Sequence, residues 1–259
     1  MPVARFRGIL APLLVAGIIS GVYAIAAWSN QFVYDDHEVI ENQYPIRHLN
    51  DLGRIFAEPH YLNFPYYRPV TRATFALQMS VWGRNPLAYH LFNSILAGAV
   101  VLAAYGLVRR PGIGLSPPAA LMAAGWFGLH PAFSECVYPA ASGRETLLSA
   151  LMIVLTTWAY LGRGLRWYLG AMILFAIALL SKEQAAVLPG IFVLADVLGI
   201  AQKPAKLREW ILKYLPVAVI FCLYFFVRHL IFRQPTLQVT LFEHPLDPLK
   251  SLLYGLQTA

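Results

Sequence analysis

Five short polar clusters interrupt an otherwise apolar chain: Tyr34-Asp35-Asp36, Tyr67-Arg68-Pro69, His130-Pro131 with Glu135, Gly143-Arg144-Glu145, and Ser181-Lys182-Glu183. Gathered on one side of a membrane, they could form a single site. Asp35 and Asp36 bring carboxylates close to the headgroup layer, and the planar guanidinium forks of Arg68 and Arg72 suit the oxygens of a phosphate. Neighbours on a helix point about 100° apart, so one aspartate of the pair would aim at a substrate while the other caps a backbone or pairs with an arginine. Arg68 and Arg72, four residues apart, would stack two guanidiniums on one helix face. Lys182 and Glu183, at the end of an apolar stretch, are costly to bury unless paired or facing water. Each feature has a bland counterpart: an aspartate N-cap, arginines anchored in headgroups, a snorkelling lysine, and in His130 an interfacial residue closing a helix. Glu135 and Arg144 leave a mutual ion pair and a substrate contact both open.

The elements that must carry these clusters are apolar. The chain has 259 residues, 58% hydrophobic and 13% charged, with a mean hydropathy of +0.57. That is more apolar surface than a soluble core of this size can hide, and it predicts an all-α, polytopic membrane helix bundle in one domain. Seven apolar stretches are the candidate spans: 8–28, 87–108, 115–129, 146–161, 167–180, 185–198 and 211–227. The first is long enough to cross and leads into further spans, so it reads as a retained helix rather than a cleaved leader. Several others fall short of the roughly 20 residues a bilayer needs and must recruit their flanks. An alternative joins 167–198 into one broken helix, which moves Lys182 to mid-membrane and reverses the parity of the later spans.

Counting crossings puts all five clusters on one side. The short basic linkers, with Arg5 and Arg7, Arg109 and Arg110, Arg163 and Arg166, and Lys203, Lys206 and Arg208, fall on the other. Positive-inside placement then makes the N-terminus cytoplasmic and the clusters extracytoplasmic. The formal charge of +7 fits basic linkers on anionic lipid rather than a nucleic-acid surface, since no basic face with interleaved aromatics is present. Cys136 and Cys222 fall at different depths and cannot bridge. The segment 29–86 is an outer loop, expected to hold surface helices at 42–56 and 67–82 around a turn at 63–67, with Val70, Phe75, Leu77, Met79 and Val81 as the apolar face of the second.

The clusters also occur in a family order. The stretches Phe32-Val33-Tyr34-Asp35-Asp36, Tyr67-Arg68-Pro69-Val70-Thr71, Tyr89-His90-Leu91-Phe92-Asn93, 129–137 around His130 and Glu135, 143–148 around Arg144, and Leu180-Ser181-Lys182-Glu183-Gln184 resemble the membrane part of the tetratricopeptide-repeat-containing O-mannosyltransferases, the TMTC family. That family lies within the GT-C class of polyprenyl-phosphate-dependent glycosyltransferases. The resemblance runs from about residue 32 to 196. It implies a GT-C-like fold and an inverting transfer of a sugar, mannose or another hexose, from a polyprenyl-phosphate donor to an acceptor hydroxyl on a protein or glycan outside the cytoplasm.

On that implied chemistry Asp35 or Asp36 is the base, with Asp35 preferred. Arg68, Arg72, His130, Glu135, Arg144, Lys182 and Glu183 are the substrate-binding set, with Arg68, Arg144 and Lys182 on the departing phosphate. No obligatory metal is expected, although Asp35, Asp36 and a histidine could hold a divalent ion. The alternative of another class is a protein that binds or transports lipid-linked sugar without transfer. A bacterial cytoplasmic membrane is favoured, with the endoplasmic reticulum as its topological equivalent. Family members continue into further spans and repeats, whereas this chain stops at Ala259 where 248–258 begins another helix, as a truncated chain or a short form would.

Overall fold

The computed structural model describes residues 2–41, 52–60 and 66–232; the expected surface-helix residues 42–51, turn residues 63–65 and terminal helix 248–258 lie outside them. Each of the seven apolar stretches is helical: α1 (Pro2–Ala27), α4 (Pro86–Val108), α5 (Pro117–Leu129), α7 (Ala141–Tyr160), α8 (Leu165–Ser181), α9 (Leu188–Val197) and α10 (Leu207–Phe232). The connecting segments hold a π-helical turn (His37–Glu41), α2 (Leu52–Ala57), α3 (Pro69–Trp82), the single turn α6 (Pro131–Ser134) and a 3-10 turn (Glu183–Val187). No strand occurs among the described residues. Proline opens α3, α4, α5, α6 and α9, where its missing N–H has no intrahelical partner to lose. Asn85 caps α4, its side chain accepting from the Leu87 amide at 3.1 Å.

Three of these helices are long and apolar enough to cross a membrane unaided: Ile9–Ala27 of α1, α4, and α10. Only 22% of the most apolar stretch of α1 and 17% of that of α10 is buried. Their outward Leu14, Ile18, Leu212, Leu223 and Phe226 form an apolar surface suited to lipid. The other four are shorter or begin with charge: α8 has 17 residues, α5 13 and α9 10, and the first turns of α7 contain Arg144 and Glu145. The molecule is an all-α membrane helix bundle.

The single broken helix over 167–198 is not formed. The backbone turns extended at Lys182 (φ −161°, ψ 140°), and α9 folds back so that Phe192 packs against Phe175 at 5.9 Å and stacks on Tyr160 at 4.0 Å. The lengths explain the fit. A 3-10 turn followed by ten helical residues rises roughly 25 Å, close to the roughly 21 Å that α7 covers from Thr146 to Tyr160. One apolar core joins Phe175, Leu179, Leu188 and Phe192 to Val217 and Tyr224 of α10. A second joins α1, α4, α5 and α7 through Ile19, Val100, Val101, Ala124 and Leu147.

The bundle therefore has two unlike ends. At one, Arg110 Nε donates to the Trp158 carbonyl at 3.0 Å. Nearby, the buried Asp196 carboxylate accepts from the Tyr160 and Tyr214 hydroxyls at 2.7 and 2.8 Å and from Lys213 Nζ at 2.8 Å. The other end carries the polar clusters, and α3 lies across it, with Thr71 Oγ1 donating to the Ser181 carbonyl at 2.9 Å. The expected apolar face of α3 is corrected. Phe75 is buried, but Leu77 and Val81 are exposed, while Thr71, Arg72 and Gln78 are buried. The inward face covers a polar cluster, so its inward side chains are polar.

Candidate active site at the polar end

Tyr34, with φ +49°, sits in the left-handed region that non-glycine residues enter rarely, just where the chain turns into the aspartate pair. The two carboxylates separate there. Asp35 is exposed, whereas Asp36 is fully buried and accepts from Ala141 N at 2.7 Å, Ala140 N at 3.2 Å and Val33 N at 3.1 Å. A carboxylate at the first amides of α7 satisfies donors the helix cannot, and it sits at the positive end of the helix dipole. Asp36 is thus an N-cap, though of a helix 105 residues away in sequence.

Arg144 points into the protein. Its Nε donates to Asn93 Oδ1 at 2.6 Å, and its Nη2 donates to Gln78 Oε1 at 2.7 Å and the Tyr89 carbonyl at 3.3 Å. The guanidinium lies 4.1 Å from the centre of the Phe92 ring. Asn93 passes the constraint on: its Nδ2 donates to the carbonyls of Val137, Pro139 and Ala140. Those carbonyls belong to the loop whose amides Asp36 holds. Gly143 permits the approach, because a Cβ there would meet the Cys136 carbonyl at 2.9 Å and Asn93 Nδ2 at 3.3 Å. Arg144 and Asp36 therefore clamp one loop from two sides.

Glu145, one position on, faces a different partner set. Its carboxylate bonds His60 Nε2 at 2.7 Å and accepts from Arg68 Nη1, with its side chain only 3% exposed. Arg68 also forks onto Glu183, through Nε at 2.9 Å and through Nη2. One guanidinium thus bridges two carboxylates, and mutual pairing of this kind offsets the cost of burying charge. Burial tends to raise the Glu183 pKa, but the bond to Arg68 and the Arg68 and Lys182 charges outweigh it and hold the carboxyl below its usual range. Lys182 donates to a neutral group, Thr146 Oγ1, at 2.9 Å, and among the described residues it forms no ion pair. Burial lowers its pKa from the ordinary lysine value.

The remaining candidates scatter. Arg72 does not join Arg68 on one ligand: it donates to Glu58 Oε2 and the Pro59 carbonyl, each at 3.1 Å. His130 is exposed and caps α6, its Nδ1 accepting from Ala132 N at 3.2 Å. Glu135 is exposed and makes no ion pair with Arg144. His130 lines an apolar pocket of about 370 Å³ with Trp126, Phe127, Phe133, Leu147 and Thr146. Thr146 is the hydroxyl that Lys182 holds, so a half-buried cation stands at the edge of an apolar pocket.

Curated relatives are similar to this chain over most of its length. Protein O-mannosyl-transferase TMTC4 of Mus musculus is 27% identical over 220 residues, covering 73% of this chain and 30% of that protein. The Homo sapiens TMTC4 is 28% identical over the same length, and Protein O-mannosyl-transferase TMTC2 of Mus musculus is 27% identical over 208 residues, 71% of this chain and 24% of that protein. The chain is TMTC-like. It spans less than a third of the length of these relatives. No family model and no solved structure matches it.

In this TMTC-like chain the site contains residues that the motifs left outside the substrate set: Glu145, His60, Asn93 and Thr146. Glu145 had a signal, a second charge beside Arg144 at the head of an apolar stretch, where an ionisable residue is expensive unless partnered. Asn93 closes the motif that starts at Tyr89, but nothing in the motif gave it a task. His60 had no signal, since only the fold brings it to a glutamate 85 residues away.

Proposed function

We propose that the chain carries the catalytic end of a polyprenyl-phosphate-sugar-dependent glycosyltransferase, which passes a hexose, mannose by analogy with its relatives, to an acceptor hydroxyl outside the cytoplasm with inversion. The reading rests most on the division of labour at the aspartate pair. Asp36 is spent on backbone amides, while Asp35, on the same turn, is exposed. Asp35 is the base that takes the acceptor proton as the oxygen attacks the anomeric carbon. Lys182 is the cation that meets the phosphate as it leaves, because its charge is not already matched by a carboxylate among the described residues. Arg68 has an indirect role, since Glu145 and Glu183 enclose it. Arg72 and Arg144 hold the scaffold. The pocket beside Thr146 takes the first apolar units of the donor.

No obligatory metal is part of this proposal. Glu145 and Glu183 are engaged by His60 and Arg68, Asp36 is engaged by amides, and among the described residues no group of three or more His, Cys, Asp or Glu is arranged to hold an ion. Sugar transfer by the purified 259-residue chain in lipid, from polyprenyl-phosphate mannose to an acceptor peptide, tests the reading. Asp35→Asn should cut the rate by about 10²- to 10⁴-fold, the usual range for a lost general base, at unchanged thermal stability. Asp36→Asn should instead lower stability. Full transfer by Asp35→Asn would sink the assignment. Binding of the lipid by wild type without transfer would favour a carrier of lipid-linked sugar.

A further inference from the structure

The end of the bundle opposite the active site holds a cavity of about 640 Å³ between the α4–α5, α7–α8 and α9–α10 connections. Two arginines, Arg110 and Arg163, line it together with Trp167 and Gln202. Arg110 is held in the corner of two indoles that meet nearly at right angles: its guanidinium carbon lies 3.7 Å from the centre of the Trp158 ring and 4.6 Å from that of Trp167. Gly162 makes this corner possible, since a Cβ there would lie 2.5 Å from the Trp167 ring. Arg110 Nε donates to the Trp158 carbonyl, which fixes the plane of the fork. Its Nη2 is buried and has no hydrogen-bond partner among the described residues. A planar cation fixed by cation–π contact with an unspent donor is set up to receive an oxyanion.

Trp158 also forms a wall of a second, apolar groove of about 420 Å³, lined by Ile9 and Pro12 of α1, Leu102 and Tyr105 of α4, and Leu155 of α7. The Trp158 indole thus lines the apolar groove and touches Arg110, which lines the basic cavity. We infer that this end binds an anionic phospholipid, with its phosphate against Arg110 and Arg163 and an acyl chain in the groove beside Trp158. Basic pockets between helices are a recurrent form of headgroup recognition, and each arginine near a lipid surface contributes on the order of 1 kcal/mol. The groove decides between sources of the same anion: a free phosphate has no use for it.

Native mass spectrometry of the detergent-solubilised chain, titrated with dioleoyl phosphatidylglycerol, dioleoyl phosphatidylcholine or inorganic phosphate, tests the site. Wild type should retain phosphatidylglycerol over phosphatidylcholine, and Arg110→Gln and Arg163→Gln should each weaken phosphatidylglycerol about fivefold, the loss of one charge contact. Leu155→Trp, which fills the groove, should weaken both lipids. Arg84→Gln, an exposed arginine at the other end, should change nothing. Arg163 is exposed, so its variant reads binding without a risk to folding. Equal retention by Arg163→Gln, Arg110→Gln and wild type would overturn the site, and displacement of phosphatidylglycerol by equimolar inorganic phosphate would overturn the lipid.

Discussion

Glu145 shows how much one side chain is asked to do. Its carboxylate joins His60, from the segment after α2, to Arg68, which in turn reaches Glu183. Removing the charge takes one of two carboxylates from the buried Arg68, which keeps Glu183, a loss bounded by the roughly 3–5 kcal/mol of a fully broken buried pair. Glu145→Gln should therefore lower the unfolding midpoint sharply, and Arg68→Met in the same chain should recover part of the loss. Additive losses in that double-mutant cycle would show that the two do not interact. Protonation gives a second prediction. Glu183 has its pKa depressed, so its contribution is complete above the ordinary carboxylate range and is lost only as pH falls through the lowered value. The Arg68–Glu183 link should survive at pH 5. Lys182 is lowered from its ordinary value, so its charge is lost at a lower pH than that of a free lysine. Donor KM should rise on the alkaline side below pH ~10.4, the free-lysine value, and Lys182→Arg should remove that limb; an unchanged limb in the arginine variant would assign it elsewhere.

Among the elements, α9 is the least expected. Ten residues cannot cross a bilayer as a helix, yet this one reaches the far end because the 3-10 turn lengthens it and its end is fastened there. Asp196, near its C-terminus, is buried and receives two tyrosine hydroxyls and Lys213. Lys213→Met should leave that carboxylate without its cation and destabilise the chain by about 3–5 kcal/mol, while Lys203→Met, in the neighbouring linker, should have little effect. Equal midpoints for the two variants would show that α9 is not held this way. An apolar stretch marked α8 well, whereas helical periodicity served α3 poorly. The buried side of α8 meets apolar neighbours, Phe175 and Leu179 among them, so an apolar stretch marks it. The buried side of α3 meets Arg144 and Ser181, so Thr71, Arg72 and Gln78 turn inward and the apolar Leu77 and Val81 turn out.

At the scale of the molecule the clusters gather at one end of the bundle and the linker residues Arg110, Arg163 and Gln202 at the other, the arrangement that the sequence reading expects. With the polar end outside the cytoplasm, as proposed, a cysteine-free background carrying Glu135→Cys should react with an impermeant maleimide in intact cells, and one carrying Gln202→Cys only after permeabilisation. The reverse pattern would invert the molecule. Much of this was determined by the amino-acid sequence alone: the helical class, the seven apolar stretches, the grouping of the five clusters and the TMTC resemblance all come from local hydropathy and motif order, which need no knowledge of contacts. What only the tertiary structure decided is the task of each charged residue. Asp36 caps α7 while Asp35 stays exposed, Arg144 braces a loop while Glu145 anchors Arg68, and Arg68 and Arg72 part to different carboxylates. Adjacent residues share a sequence signal, but on a helix they point about 100° apart, and the partner each one meets comes from a segment tens of residues away.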